Sequence, residues 1–229
     1  MFRVFFLIAA LAVPLAAQVP QRRPVVRANG EGIVSIRPDQ VKVSVGVTNQ
    51  AGTAQEAADQ NATVTNNVLA ALRQLLGATA DVKTLGYSLN PIYSNTPGSN
   101  RPIVGYQATN TIEVTLNDTS LAGRVIDVAA QAGATNVNAL RFGLRDPNPT
   151  RIQALRAAAL QARQKAESIA TALGGRVGQV LIAEEGSTVT PIPVDSRSIG
   201  LAAGSTPTTI EAGTLEVRAY VAIEAELTQ

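Results

Sequence analysis

Taken every second residue from Val26, the chain reads Val26, Ala28, Gly30, Gly32, Val34 and Ile36, while Arg27, Asn29, Glu31, Ile33, Ser35 and Arg37 fall between them. That period of two predicts a strand with one apolar face, and both glycines lie on it. Pro38 and Asp39 predict a turn, after which "VKVSVGV" predicts a second strand with Val41, Val43, Val45 and Val47 inward. Thr53 and Glu56 form a capping box at the head of a helix that carries Val64, Val68, Leu72 and Leu75 on one stripe and is closed by Gly77. Strand spacing returns in "VKTLGYSLNPIY", with Leu85, Tyr87 and Leu89 on one face. A Pro/Gly/Asn/Ser linker, Ser94 to Arg101, leads to a long strand in which Val104, Tyr106, Ala108, Ile112, Val114 and Leu116 share a register interrupted by Asn110.

Asp118 or Ser120 caps a shorter helix with Leu121, Val125, Val128 and Ala129 toward the sheet, ended by Gly133. The strand "VNALRFGL" follows. The segments "GATADVKTLGYSL" and "GATNVNALRFGL" repeat a helix-end glycine, Ala-Thr, Val, Leu, an aromatic and Leu at matching offsets with one gap. Two such strand-helix-strand units joined by a hairpin predict an α+β fold. Its core is a ferredoxin-like βαββαβ unit with an antiparallel sheet and both helices on one face. An N-terminal strand, a third helix and two C-terminal strands extend it. The third helix begins after Asn148 with Pro149 in its first turn, and its predicted inner face is Ile152, Leu155, Ala159, Ala162, Ala166, Ile169 and Leu173. The C-terminal strands are "VGQVLIAEE" and the alternation Leu215, Val217, Ala219, Val221, Ile223 and Leu227. Between them, Gly186 to Thr209 is rich in Gly, Ser, Thr and Pro, and a connection of that length is either functional or disordered. Its Val189, Ile192, Val194, Ile199 and Leu201 favour contact with a partner.

At the N-terminus Arg3, the apolar run "VFFLIAALAVPL" and Ala16-Ala17 have the layout of a secretory signal peptide cut after Ala17. The run is about 12 residues and contains Pro14, whereas spanning hydrocarbon takes about 20, so an uncleaved anchor is disfavoured. The expected organisation is a signal peptide over 1–17, a disordered lead over 18–24 and one domain over 25–228 with a long loop at 186–209. Loss of Arg3 leaves 18 basic residues against 17 acidic, so the mature chain is close to neutral. Four Tyr, four Phe and no Trp, with no basic face, argue against nucleic acid as a partner. The same scarcity of aromatics, with several helix-capping signals, argues against an outer-membrane barrel.

Cysteine and histidine are both absent, which removes disulfides, thiolate nucleophiles, imidazole bases and metal sites built on sulfur or imidazole. Gly30-Glu31-Gly32 has the form of a phosphate-binding Gly-x-Gly, but that chemistry needs a helix to open directly after the glycines. Here Ile33 to Arg37 stays extended. The glycines are expected to admit a closely packed helix, with an Asn29-Gly30 hairpin as the structural alternative. Glu184 and Glu185 are the only adjacent acidic pair, and neighbours on a strand point to opposite faces. No catalytic residue, cofactor ligand or metal ligand is therefore assigned.

The ordered succession "VRANGEGIVSIRPDQVKVSVGV", "LGYSLNPIY", "VGYQATNTIEVTL", "AAALQARQKAESIATALGGRVGQV" and "LEVRAYVAIEAEL" resembles the SIMPL domain family, over about residues 25 to 228. That family includes bacterial periplasmic immunogenic proteins and a protein linked to oxidative-stress defence. "TTIEAGTLEV" keeps the glycine before the last strand but has Ala212 where many relatives have Pro. The resemblance implies an α+β fold, export to the periplasm or the outer-membrane periphery, and in some members ring-like or channel-like homo-oligomers. It implies no reaction. The expected function is that of a non-enzymatic periplasmic protein that self-assembles, in envelope or oxidative-stress tolerance, with no membrane insertion once the signal is removed. The alternatives are a monomeric binding module for a small ligand or partner protein, and a hydrolase that works without His or Cys.

Overall fold

The computed structural model describes residues 23–78, 80–94, 101–186, 192–193 and 208–229. The predicted signal segment, residues 18–22 of the lead, the linker at 95–100 and most of the 186–209 loop lie outside the described residues. Two antiparallel sheets, each with helices on one face, make up an α+β fold.

The first sheet is built by β2 (Gln40–Ala51), β3 (Asp81–Tyr93), β4 (Ile103–Leu116) and β5 (Asn136–Gly143) in the order β3-β4-β2-β5. With α1 (Ala54–Leu76) between β2 and β3, and α2 (Ala122–Gln131) between β4 and β5, this is the predicted βαββαβ core. Val41, Val43, Val45 and Val47 are fully buried, packed with Ile112, Val114, Val68, Leu72 and Val125. Thr53 accepts from the Glu56 amide at the head of α1, which is one of the two bonds of the predicted capping box. Asp118, rather than Ser120, caps the 3-10 turn Thr119–Leu121 that leads into α2, and its carboxylate accepts from the Ser120 hydroxyl and amide. Those bonds, the hydroxyl's first, hold the Asp118 carboxyl below its ordinary range. The stabilisation they bring is present above the unfolded-state value and is lost as pH falls through the folded one.

The β3/β4 hairpin runs on past α1. Ala108 is buried, whereas Val104, in the same predicted register, is 61% exposed because no helix reaches it. Asn110, the polar interruption of that register, faces Val47 and Tyr87 across the sheet.

The second sheet has β1 (Val25–Ile36) and β6 (Arg176–Glu185) on either side of β8 (Leu215–Thr228). A two-residue strand, β7 (Ile192–Pro193), pairs with Glu216 and Leu215 of β8, so the long loop contains a piece of this sheet. One face is covered by α3 (Asn148–Ala172). Asp146 accepts the Asn148 amide at its start, which lets the helix begin one residue earlier than Pro149 alone predicts. It ends where Gly174 turns left-handed at φ 78°, a conformation glycine adopts without strain.

The face that α3 buries corrects the sequence reading in part: Ala162 and Ala166 are inward as predicted, while Ala159 is exposed. Ala154, Ala158, Ala162, Ala166 and Ala170 are fully buried, whereas Ile152, Ile169 and Leu173 lie outside, Leu173 at 69% exposed. The cause is β1. A Cβ on Gly30 would stand 1.9 Å from the Ala158 carbonyl oxygen, and one on Gly32 would stand 2.0 Å from that of Ala154. A strand advances about 6.6 Å in two residues and a helix about 6.0 Å in four, so glycines two apart and alanines four apart mesh along their length. Bulky residues would hold the two backbones apart, and they are left facing away.

Candidate functional site

Gly30 and Gly32 lie mid-strand under the backbone of α3, so their amides do not form a helix N-terminus and their apolar face is filled. Gln161 accepts the Glu31 amide at 2.9 Å and Lys165 donates to the Asn29 carbonyl at 3.1 Å, which brings two α3 side chains onto the outer edge of β1. The segment serves packing.

The face of this sheet away from α3 carries paired charges. Arg23 binds Glu226 at 2.6 Å, Arg27 binds Glu224 at 2.7 Å, and Arg218 binds both Glu216 at 2.6 Å and Glu31 at 3.4 Å. Tyr220 adds its hydroxyl to Glu31 at 3.0 Å. The hydrogen bond to Glu216 is the main cause of the upward shift of the Arg218 guanidinium. These groups neutralise one another in solvent, where such pairs contribute little to stability.

Glu184 and Glu185 fall on opposite faces, as alternation requires. Glu185, opposite Val221, turns to the helix side and pairs with Arg151 of α3. Glu184, opposite Ala222, faces the open side and has no ion-pair partner among the described residues. Among the described residues no group of three or more His, Cys, Asp or Glu could hold a metal ion. No helix among them is long and apolar enough to cross a membrane.

Three features were not read from the sequence. Asn61, on α1, is fully buried, and its amide donates to the Val47 carbonyl at 2.8 Å, the Ala108 carbonyl at 3.2 Å and Asn49 Oδ1 at 3.2 Å. A polar residue on the inner helical stripe beside Ala57 and Thr65 was its only signal. A cleft of about 210 Å³ lies between α2 and β5, lined by Val45, Ile126, Ala130, Ala134 and Val137 and rimmed by Asp127 and Thr208.

Thr208 is held at that rim by two hydrogen bonds to Asp127, from its hydroxyl at 2.7 Å and from its amide at 3.3 Å. Gly123 lets it approach, because a Cβ there would stand 2.1 Å from the Thr208 carbonyl oxygen. The far end of the long loop is thus fastened to α2. Gly123→Ala falls in the first turn of α2, where propensity alone would add at most about 1 kcal/mol. Here it is expected to lower stability by about 1 kcal/mol, because the segment at Thr208 must move off. Chemical denaturation reads the sign, and faster amide exchange at Thr208 locates the cause.

Exposed apolar residues lie on the outer side of α3, at Ile152, Leu160, Ile169 and Leu173, and along two edge strands. Leu85, Tyr87 and Leu89 line β3, an edge that also carries Lys83, Pro91 and a bulge near Leu85. Val180, Leu181 and Ile182 are consecutive on β6 and are 43%, 42% and 47% exposed.

A family model described as SIMPL, protein of unknown function (DUF541), matches residues 26–225. A 26 kDa periplasmic immunogenic protein of Brucella melitensis is 27% identical over 201 residues, which cover 84% of this chain and 80% of that protein. The protein of the same name from Brucella abortus matches equally. The uncharacterized protein YggE of Escherichia coli K12 is 26% identical over 185 residues, 78% of this chain and 74% of its own length.

Proposed function

The chain belongs to the SIMPL family, and from that membership we propose that it is a non-enzymatic exported protein of the periplasm that acts by assembling with itself, in envelope or oxidative-stress tolerance. The observation that carries the assembly is the β6 edge, unpaired among the described residues, with three consecutive exposed apolar residues. Unpaired strand edges attract other strands, and water-facing proteins ordinarily cover or blunt them. Export is supported by the signal-peptide layout of residues 1–17 and by relatives named as periplasmic. A second reading, a monomeric binding module for a small ligand, is supported by the apolar cleft beside α2.

Fractionation of a Gram-negative host tests location and processing together. The protein is expected in the osmotic-shock extract with its N-terminus near Gln18. A chain that keeps Met1 and pellets with membranes contradicts the export reading.

A further inference from the structure

We propose that β6 is a two-fold seam at which a second copy of this chain pairs antiparallel, centred on Val180; this rests on the self-assembly reading and names its surface. Three observations converge on it. The first is the state of the other edges. The outer edge of β1 is occupied by Gln161 and Lys165. β3 carries Lys83 and Pro91, both of which discourage pairing, and β5 is only 8 residues long. β6 contains neither Lys nor Pro.

The second is the main chain. In an antiparallel pair, facing residues alternately bond to each other and turn their N–H and C=O groups away. The Leu227 amide bonds to Pro24, on the β1 side, whereas the Tyr220 carbonyl accepts from Gly186, on the β6 side. The odd residues of β8 therefore face β1. Their partners on β6 turn outward, and these are Val177 opposite Leu227, Val180 opposite Ala225 and Ala183 opposite Ile223. The two register shifts of β6 fall on either side of Val180, so the three outward positions keep steps of two along β8. A two-fold axis at Val180 sets it against its own copy and sets Val177 against Ala183 of the second copy, with donors and acceptors matched.

The third is charge. Arg176 faces Thr228 and Glu184 faces Ala222, so each stands three β8 positions from Ala225, the residue opposite Val180. Both lie on the open face, and neither has an ion-pair partner among the described residues. The same axis brings Arg176 of each copy opposite Glu184 of the other. A parallel pairing would set like charges together. The two sheets would then run into one another across the seam, with Val180, Leu181 and Ile182 covered.

Because the chain has no cysteine, single substitutions report the register cleanly. Val180→Cys puts two thiols on directly paired residues, Cα atoms about 5.5 Å apart and within the range a disulfide spans. Mild oxidation at micromolar concentration is expected to give a covalent dimer. Ala183→Cys should not crosslink to itself, being separated from its copy by about 13 Å. A mixture of Val177→Cys and Ala183→Cys proteins should crosslink. Arg176→Glu alone should weaken association about tenfold, and Glu184→Arg added on the same chain should restore it. Sedimentation of the wild type separates the failures. An oligomer in which Val180→Cys crosslinks no better than Ala183→Cys, or which ignores the charge reversal, overturns the seam and leaves self-assembly standing. A monomeric wild type overturns both.

Discussion

Gly32→Val is expected to destabilise the fold by about 3 kcal/mol, the upper end of the usual cost of overpacking, because the new atoms meet backbone rather than side chains. A Cβ at this position stands 2.0 Å from the Ala154 carbonyl oxygen and 2.7 Å from the Ala158 nitrogen. No rotamer relieves that, so α3 must lift from β1 along its length. The alanine stripe, chosen for close approach, then loses its contacts as well. In a chain of this size the melting temperature should fall by about 10 °C. Gly86→Ala is the control, since a Cβ there meets nothing within 4 Å. Phosphate or nucleotide should leave the wild-type melting temperature unchanged, and a saturable rise with either would mean that the Gly-x-Gly segment binds anions after all.

The second large effect is expected at Asn61. Its amide group supplies donors to two main-chain carbonyls and to Asn49 in a site without solvent. Asn61→Leu removes those donors while keeping the number and branching of the side-chain heavy atoms, and should cost about 2 kcal/mol. Asn61→Asp is nearly isosteric but sets a carboxylate against the same carbonyls, and at pH 7 should cost about 4 kcal/mol, as an unpaired buried charge does. The two variants differ in their response to pH. Burial among acceptors raises the folded-state value of the new carboxyl above about 3.9, so the folded state binds its proton more readily than the unfolded one. The Asp variant should therefore regain stability relative to wild type as pH falls toward 4, while the Leu variant should not. Urea denaturation across that range reads both.

The local elements were legible because each is written in short-range spacing. The valines of β2, the Thr53 cap and the alternation of β8 all act within a few residues. The βαββαβ order followed from the repeated helix-end segments. What the spacing could not show was which strands meet across long separations. β1 and β8 pair through Val25 with Glu226 and Ile36 with Leu215, so β8 lies in the middle of its sheet and its backbone groups are covered within the chain. Among the described residues the edges of this sheet are β1 and β6.

The helix α3 was misread for a related reason. Hydrophobicity ranks Ile152, Ile169 and Leu173 above any alanine, whereas the partner of this helix is a glycine face, on which small size matters more than greasiness. The complementary spacing, glycines every two and alanines every four, was present in the sequence. Asn61 was hidden because a polar residue in an inward stripe reads as an interruption until the carbonyls it serves are in place. Arg176 and Glu184, without ion-pair partners among the described residues, became meaningful only once the β6 register set them at equal distances from Val180.

Self-assembly is tested most directly by light scattering coupled to size exclusion on the mature chain, from about Gln18 to Gln229, across micromolar concentrations. The expected result is a discrete oligomer whose mass is an integer multiple of the monomer and which dissociates on dilution or on Arg176→Glu. A particle of monomer mass at every concentration would contradict the account.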